Sequence, residues 1–162
     1  MNTIDENIDF VEQIKALTVG EPDFFANSSN FVAWFFNVID DINWVGFYLL
    51  SGDELILGPF QGKPACIRIE LGRGVCGTAA LERRDIIVDN VHEFRGHIAC
   101  DYASNSEIVI PMIVDDVLYG VLDVDSPKFS RFDEQDLELY KKLLYHLLEN
   151  SNMSKIAKYY NG

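Results

Sequence analysis

The apolar pattern of this chain changes period once, near Asn43, and that change limits its possible folds more than any other feature. Upstream, Phe10, Val11, Ile14 and Leu17 share one face of a helix predicted over 5–17, which Gly20 stops. Pro22 suits the first turn of a second helix running through Phe24 and Phe25 to about Ile39. Its aromatic density (Phe31, Trp34, Phe35, Phe36) calls for burial or an oligomer contact. Downstream the period shortens to two. Residues 44–50 read as a strand, Ser51-Gly52-Asp53 as a turn, and 54–58 as the returning strand of a hairpin. Residues 66–71 alternate as a half-exposed strand, 75–83 form a short helix, and 85–88 a brief strand. The stretch 89–106 reads as a long loop with one helical turn. Two more strands, 107–114 and 118–125, join at Asp115-Asp116. A last helix, ending near Glu149, has Asp133 as N-cap with Asp136 three residues on, and Phe132 and Leu137 spaced as a hydrophobic staple. Leu137, Tyr140, Leu144, Leu147 and Leu148 supply its apolar stripe. Hairpins without regular strand–helix alternation predict one antiparallel α+β domain over residues 1–162.

Composition narrows the partners. Hydrophobic residues make up 48% of the chain, enough for a core, yet no stretch approaches the roughly 18 uninterrupted apolar residues of a membrane helix. The acidic start, from Met1 to Asn7, lacks the basic region of a signal peptide and predicts a cytoplasmic protein. A net charge of −13 repels phosphate backbones and anionic lipids, so neither nucleic acid nor a membrane is expected as a partner. Three cysteines, an odd number, argue against a structural disulfide framework. Inert buried thiols, a metal site or redox chemistry remain.

Gly72-Arg73-Gly74-Val75-Cys76-Gly77 matches the dinucleotide fingerprint G-x-G-x-x-G, but its context does not. The preceding strand carries Arg68 and Glu70 where that fold buries both faces. Asp89 also follows Gly77 by only 12 residues, against about 20 for the ribose-binding acid. A tight turn feeding a helix is the better reading. It sets Cys76 near a helix N-terminus, where the dipole favours a thiolate. Cys66, Cys76 and Cys100 are 10 and 24 positions apart, and no pair has the spacing of a zinc knuckle. His97, three before Cys100, is a weak hint of a Cys/His metal set, and no metal is expected.

Cys100 lies in the polar stretch 96–106, more accessible than a core thiol, and composition leaves its inert and redox readings level. Asp123 and Asp125 share one face of their strand. That face is either a solvated surface, the commoner case, or a pocket wall on which one carboxyl keeps its proton, with Glu107 joining from the next strand. Trp44, Gly46 and Tyr48 likewise share a face, either as core or as an apolar slot opened by the missing side chain.

Five segments carry a resemblance: Ile42-Asn43-Trp44-Val45-Gly46-Phe47-Tyr48, Gly58-Pro59-Phe60-Gln61-Gly62-Lys63, Gly72-Arg73-Gly74-Val75-Cys76-Gly77, Gly96-His97-Ile98-Ala99-Cys100-Asp101 and Ser104-Asn105-Ser106-Glu107-Ile108-Val109. Over roughly residues 20–148 the chain resembles the free methionine-(R)-sulfoxide reductases, enzymes made of one GAF domain. The resemblance implies a six-stranded antiparallel sheet with helices on one side and a pocket on the other. It implies reduction of free methionine-R-sulfoxide, thioredoxin as reductant, no metal or organic cofactor, and a homodimer. The family's catalytic cysteine falls on Cys100 and its resolving positions on Cys76 and Cys66. Its pocket residues fall on Trp44, Tyr48, Glu107, Asp123 and Asp125. On that reading the Cys100 thiolate attacks the sulfoxide sulfur and a carboxylic acid protonates the departing oxygen. Cys76 is the preferred partner for the resulting sulfenic acid, with Cys66 in reserve. The rivals are a non-catalytic GAF module that binds a small ligand such as a cyclic nucleotide, and a peroxide-sensing thiol protein. A ligand-binding module needs neither the three thiols nor the carboxylate cluster.

Overall fold

Strict alternation along β1 (Trp44–Ser51) divides the molecule into two sides. The computed structural model describes residues 3–98 and 101–161. Around β1 a single antiparallel sheet is assembled from β2 (Glu54–Gly62), β3 (Arg68–Glu70), β4 (Ile86–Val88), β5 (Ser106–Val114) and β6 (Val117–Ser126), in the order β3-β2-β1-β6-β5-β4. Val45, Phe47 and Leu49 point to one face, together with Ile108, Ile110, Met112, Leu122 and Val124. Helices α1 (Thr3–Thr18), α2 (Phe24–Val38), α4 (Glu134–Glu149) and α5 (Ser154–Asn161) supply the rest of that core. Phe24 and Phe31 each place a ring 5.7 Å from Phe47, and Phe35 meets Tyr140 at 4.8 Å. Such tilted and edge contacts add to the roughly 1.5–3 kcal/mol that burying each ring contributes. Helix α3 (Gly74–Glu82) crosses the opposite face, against β3, β5 and β6.

The expected helices form, with local corrections. Pro22 lies outside α2, not in its first turn: Asp23 is the N-cap, and its carboxylate accepts from the Ala26 amide at 3.0 Å. In α1, Leu17 is exposed and Thr18 takes the buried place, its hydroxyl donating to the Ile14 carbonyl. Asp133 and Asp136 form the expected capping box of α4, while Leu139 and Leu143 also belong to its buried stripe. Helix α5 has no clear apolar period in the sequence: Ile156, the preceding Met153, Tyr160 and the Tyr159 ring against Phe25 hold it, and eight residues are too few for a period to show. The strand expected over 66–71 shrinks to β3, which pairs only with Glu54, Leu55 and Ile56. Cys66 leaves the ladder there, and its carbonyl accepts the Tyr48 hydroxyl at 2.9 Å. Among the described residues no helix is long and apolar enough to cross a membrane.

Candidate active site

Sheet register builds the site. Trp44 on β1 faces Asp125 on β6, which faces Glu107 on β5; one step along, Gly46 faces Asp123. Cross-strand neighbours of this kind lie about 4.5–5.5 Å apart. Three carboxylates are thus gathered beside an aromatic wall. The expectation of a solvated face for Asp123 and Asp125 does not hold. With α3 and residues 63–65 walling this side, Glu107 is 6% and Asp123 5% exposed, and Asp125 is half-buried. All three line a pocket of about 550 Å³, counted out to its open mouth.

The slot reading of Trp44, Gly46 and Tyr48 is the one the structure takes. Trp44 stacks between Phe60 and Tyr48 at centroid distances of 5.4 and 5.9 Å, and its indole N–H donates to the Lys63 carbonyl at 3.1 Å. A side chain at position 46 would collide with the Trp44 ring and with Phe60, so glycine is what lets the indole lie along the strand. Both aromatic residues are buried and line the pocket.

The glycine-rich segment makes the expected tight turn. Gly72 and Gly74 take φ of 83° and 61°, and the Gly72 amide donates to the Gly77 carbonyl at 2.8 Å. Cys76 then sits on the pocket floor, 4% exposed, its thiol donating to Glu107 Oε1 at 3.8 Å. Here the thiolate expected from the helix dipole is corrected. Burial first, and then the charges of Asp123, Glu107 and Asp125, push the Cys76 thiol well above its ordinary range. Of the two described cysteines, Cys76 is free and Cys66 is disulfide-bonded. Cys100 lies outside the described residues.

Electrostatics follow from the same burial. Glu107 is raised by burial and then by Asp123 and Asp125; Asp125 is raised by burial and then by Asp123 and Asp101. Burial pushes Asp123 up to about 6. The Tyr48 phenol is raised by burial and the neighbouring acids, so it stays a neutral donor. Two buried acceptors, Asp123 Oδ1 and Asn43 Oδ1, have no hydrogen-bond partner among the described residues. Unsatisfied buried acceptors are costly, and an incoming cationic N–H donor would relieve them.

Asn43, Lys63, Arg73, Asp101 and Ser104 lie within the segments that carry the resemblance, but the sequence pattern attaches no role to them. The Asn43 amide donates to Asp101 Oδ2 and to Ser104 Oγ, both at 3.1 Å, tying the loop to the start of β1. Lys63 and Arg73 are exposed pocket-lining cations in a strongly acidic chain. His97 also lines the pocket, its imidazole lowered by burial and then by His92. Lys63, Arg73, Asp101 and Ser104 line the pocket from turns whose path the apolar pattern does not encode, and Asn43 acts through Asp101 and Ser104.

A twisted antiparallel sheet, helices stacked on one face and a roofed pocket on the other define a GAF domain, and the GAF domain family model matches residues 35–147. Relatives narrow the class. The chain is 48% identical over 147 residues to the free methionine-R-sulfoxide reductase of Escherichia coli, covering 91% of this chain and 89% of that one. It superposes on the Staphylococcus aureus fRMsr in complex with substrate at a TM-score of 0.85, with 47% identity over 89% of this chain and 94% of that one. The free methionine-R-sulfoxide reductase from Neisseria meningitidis in complex with its substrate gives a TM-score of 0.88 at 38% identity, over 97% and 95% of the two chains. The chain belongs to the free methionine-R-sulfoxide reductase family.

Proposed function

We propose that this protein reduces free L-methionine-R-sulfoxide to methionine, and that the reaction runs through Cys100 and Cys66. The observation that carries the reading is the buried acid cluster with an orphan acceptor, set beside the Trp44 slot. A free amino acid brings an ammonium group that satisfies Asp123 Oδ1 and its neighbours. Its thioether end packs on Trp44, and Lys63 and Arg73 at the mouth provide the opposite pole for the α-carboxylate. An amine locked in a peptide bond leaves the buried acids unpaired, which costs several kcal/mol. Peptide substrates are therefore rejected.

Chemistry follows from the same groups. The Cys100 thiolate attacks the sulfoxide sulfur while a protonated carboxyl of the cluster delivers its proton to the departing oxygen. Methionine leaves, and the oxygen remains on Cys100 as a sulfenic acid. The Cys66 thiol then attacks that sulfur, water departs and a disulfide forms. In sum two thiols and one sulfoxide become one disulfide, one thioether and one water. A dithiol reductant of the thioredoxin kind restores both thiols. The resolving role goes to Cys66 because it is disulfide-bonded, whereas the free Cys76 thiol is held protonated on the pocket floor.

Intact-mass analysis of fully reduced protein mixed with one equivalent of the sulfoxide tests this. Wild type and Cys76→Ser should lose two hydrogens and release one methionine each. Cys66→Ser should release one methionine yet stop at the sulfenic acid, and Cys100→Ser should release none. Disulfide formation in Cys66→Ser, or methionine from Cys100→Ser, would overturn the assignment.

A further inference from the structure

Cys76 stands beside Glu107 and Asp123 but takes no part in the reductase chemistry proposed above. Each offers one ligand atom to the pocket floor, these atoms all lie within 4.8 Å of one another, and all three residues are buried. Cys76 Sγ and Glu107 Oε1 are 3.8 Å apart. Around a tetrahedral ion with a metal–sulfur bond of about 2.3 Å and a metal–oxygen bond of about 2.0 Å, sulfur and oxygen are separated by roughly 3.5 Å. Small side-chain movements close the difference. A second observation points to a cation: Asp123 is 5% exposed and lines the pocket, and its Oδ1 has no partner among the described residues.

We propose that Cys76, Glu107 and Asp123 form a binding site for one thiophilic divalent cation, such as Zn²⁺ or Cd²⁺. Three protein ligands leave the fourth position open to the pocket. The mixed sulfur and carboxylate set favours zinc-like ions over Mg²⁺ or Ca²⁺, which prefer oxygen alone. Binding replaces the thiol proton, which passes to solvent, and involves no redox change. The cation would occupy the place given above to the substrate ammonium, and so would block turnover. That last clause rests on the proposed function; the site itself does not.

The test uses the full-length Cys66→Ser/Cys100→Ser chain, in which Cys76 is the one thiol left. Cd²⁺ is added without thiol reductant, and the ultraviolet thiolate-to-cadmium charge-transfer band is followed. One saturating equivalent per chain is expected. In this background Asp123→Asn and Glu107→Gln should each weaken binding at least about tenfold, a loss already seen when outer partners of metal ligands are removed. Circular dichroism confirms folding, and either carboxylate variant suffices if the other fails to fold. Absence of the band, or a band unchanged in a folded carboxylate variant, would overturn the site. Free L-methionine should displace the ion. If methionine leaves a carboxylate-dependent band untouched, the cation site stands and the ammonium placement falls.

Discussion

On the helix side of the sheet, Val45, Phe47 and Leu49 are fully buried among rings and aliphatic chains, and the unpartnered polar atom described there is the neutral Tyr140 hydroxyl. One residue along the same strand, Trp44, Gly46 and Tyr48 belong to the side where Glu107, Asp123 and Asp125 are enclosed and one acceptor is orphaned. Two sides of six strands thus differ in what their burial does. The first side converts area removed from water into stability. The second spends part of that stability keeping polar groups dry, so that a charged ligand meets them without competing solvent. The pocket is therefore a locally destabilised surface held in shape by the core behind it.

Four substitutions test this contrast. The largest effect belongs to the helix side: Phe47→Ala removes a fully buried ring and should cost about 3–5 kcal/mol in denaturant unfolding. A loss under about 1 kcal/mol would mean that this side does not carry the fold.

Next comes Asp123→Asn, with the opposite sign. The folded state holds the Asp123 proton up to about pH 6 against an ordinary 3.8. Its contribution is therefore fully present below about pH 4 and is lost as pH rises through 6, a difference on the order of 2–3 kcal/mol. The variant should gain stability over wild type at pH 7.5 and much less at pH 4.5, while losing turnover. Equal shifts at both pH values would refute the linkage.

Gly46→Ala is smaller. The added methyl meets Trp44 and Phe60, overpacking worth on the order of 1–3 kcal/mol. It should appear as about a tenfold rise in KM. An unchanged KM would remove Trp44 from substrate binding. Smallest is Asp133→Ala, which deletes the capping box of α4 and should cost about 1 kcal/mol with kcat and KM unaltered.

Legibility in the sequence follows the same division. The helix side was readable because its elements carry long apolar periods: the stripe of α4, the alternation of β1 and the aromatic run of α2 each determine an element on their own. The assignment of Trp44 and Tyr48 to the face opposite Val45 and Phe47 needed only the period of two. The pocket was half readable. Asp123 and Asp125 could be put on one face, but whether that face was wet depended on α3 crossing it, a tertiary fact with no local signal. The same fact reversed the thiolate expected of Cys76, since a helix terminus favours the charge only where burial and nearby acids do not oppose it. The role of Asn43 has no local signal because its partners, Asp101 and Ser104, are more than fifty residues away in the chain.

The central claim is that buried acids select a free amino acid for reduction. It is tested most directly by thiol-dependent methionine release from the separated R and S forms of free methionine sulfoxide, with N-acetyl-methionine-R-sulfoxide alongside. The account predicts turnover of the free R form and at least a hundredfold lower kcat/KM for the acetylated one, about 2.7 kcal/mol at 25 °C. Comparable rates on the free and acetylated R forms would contradict it.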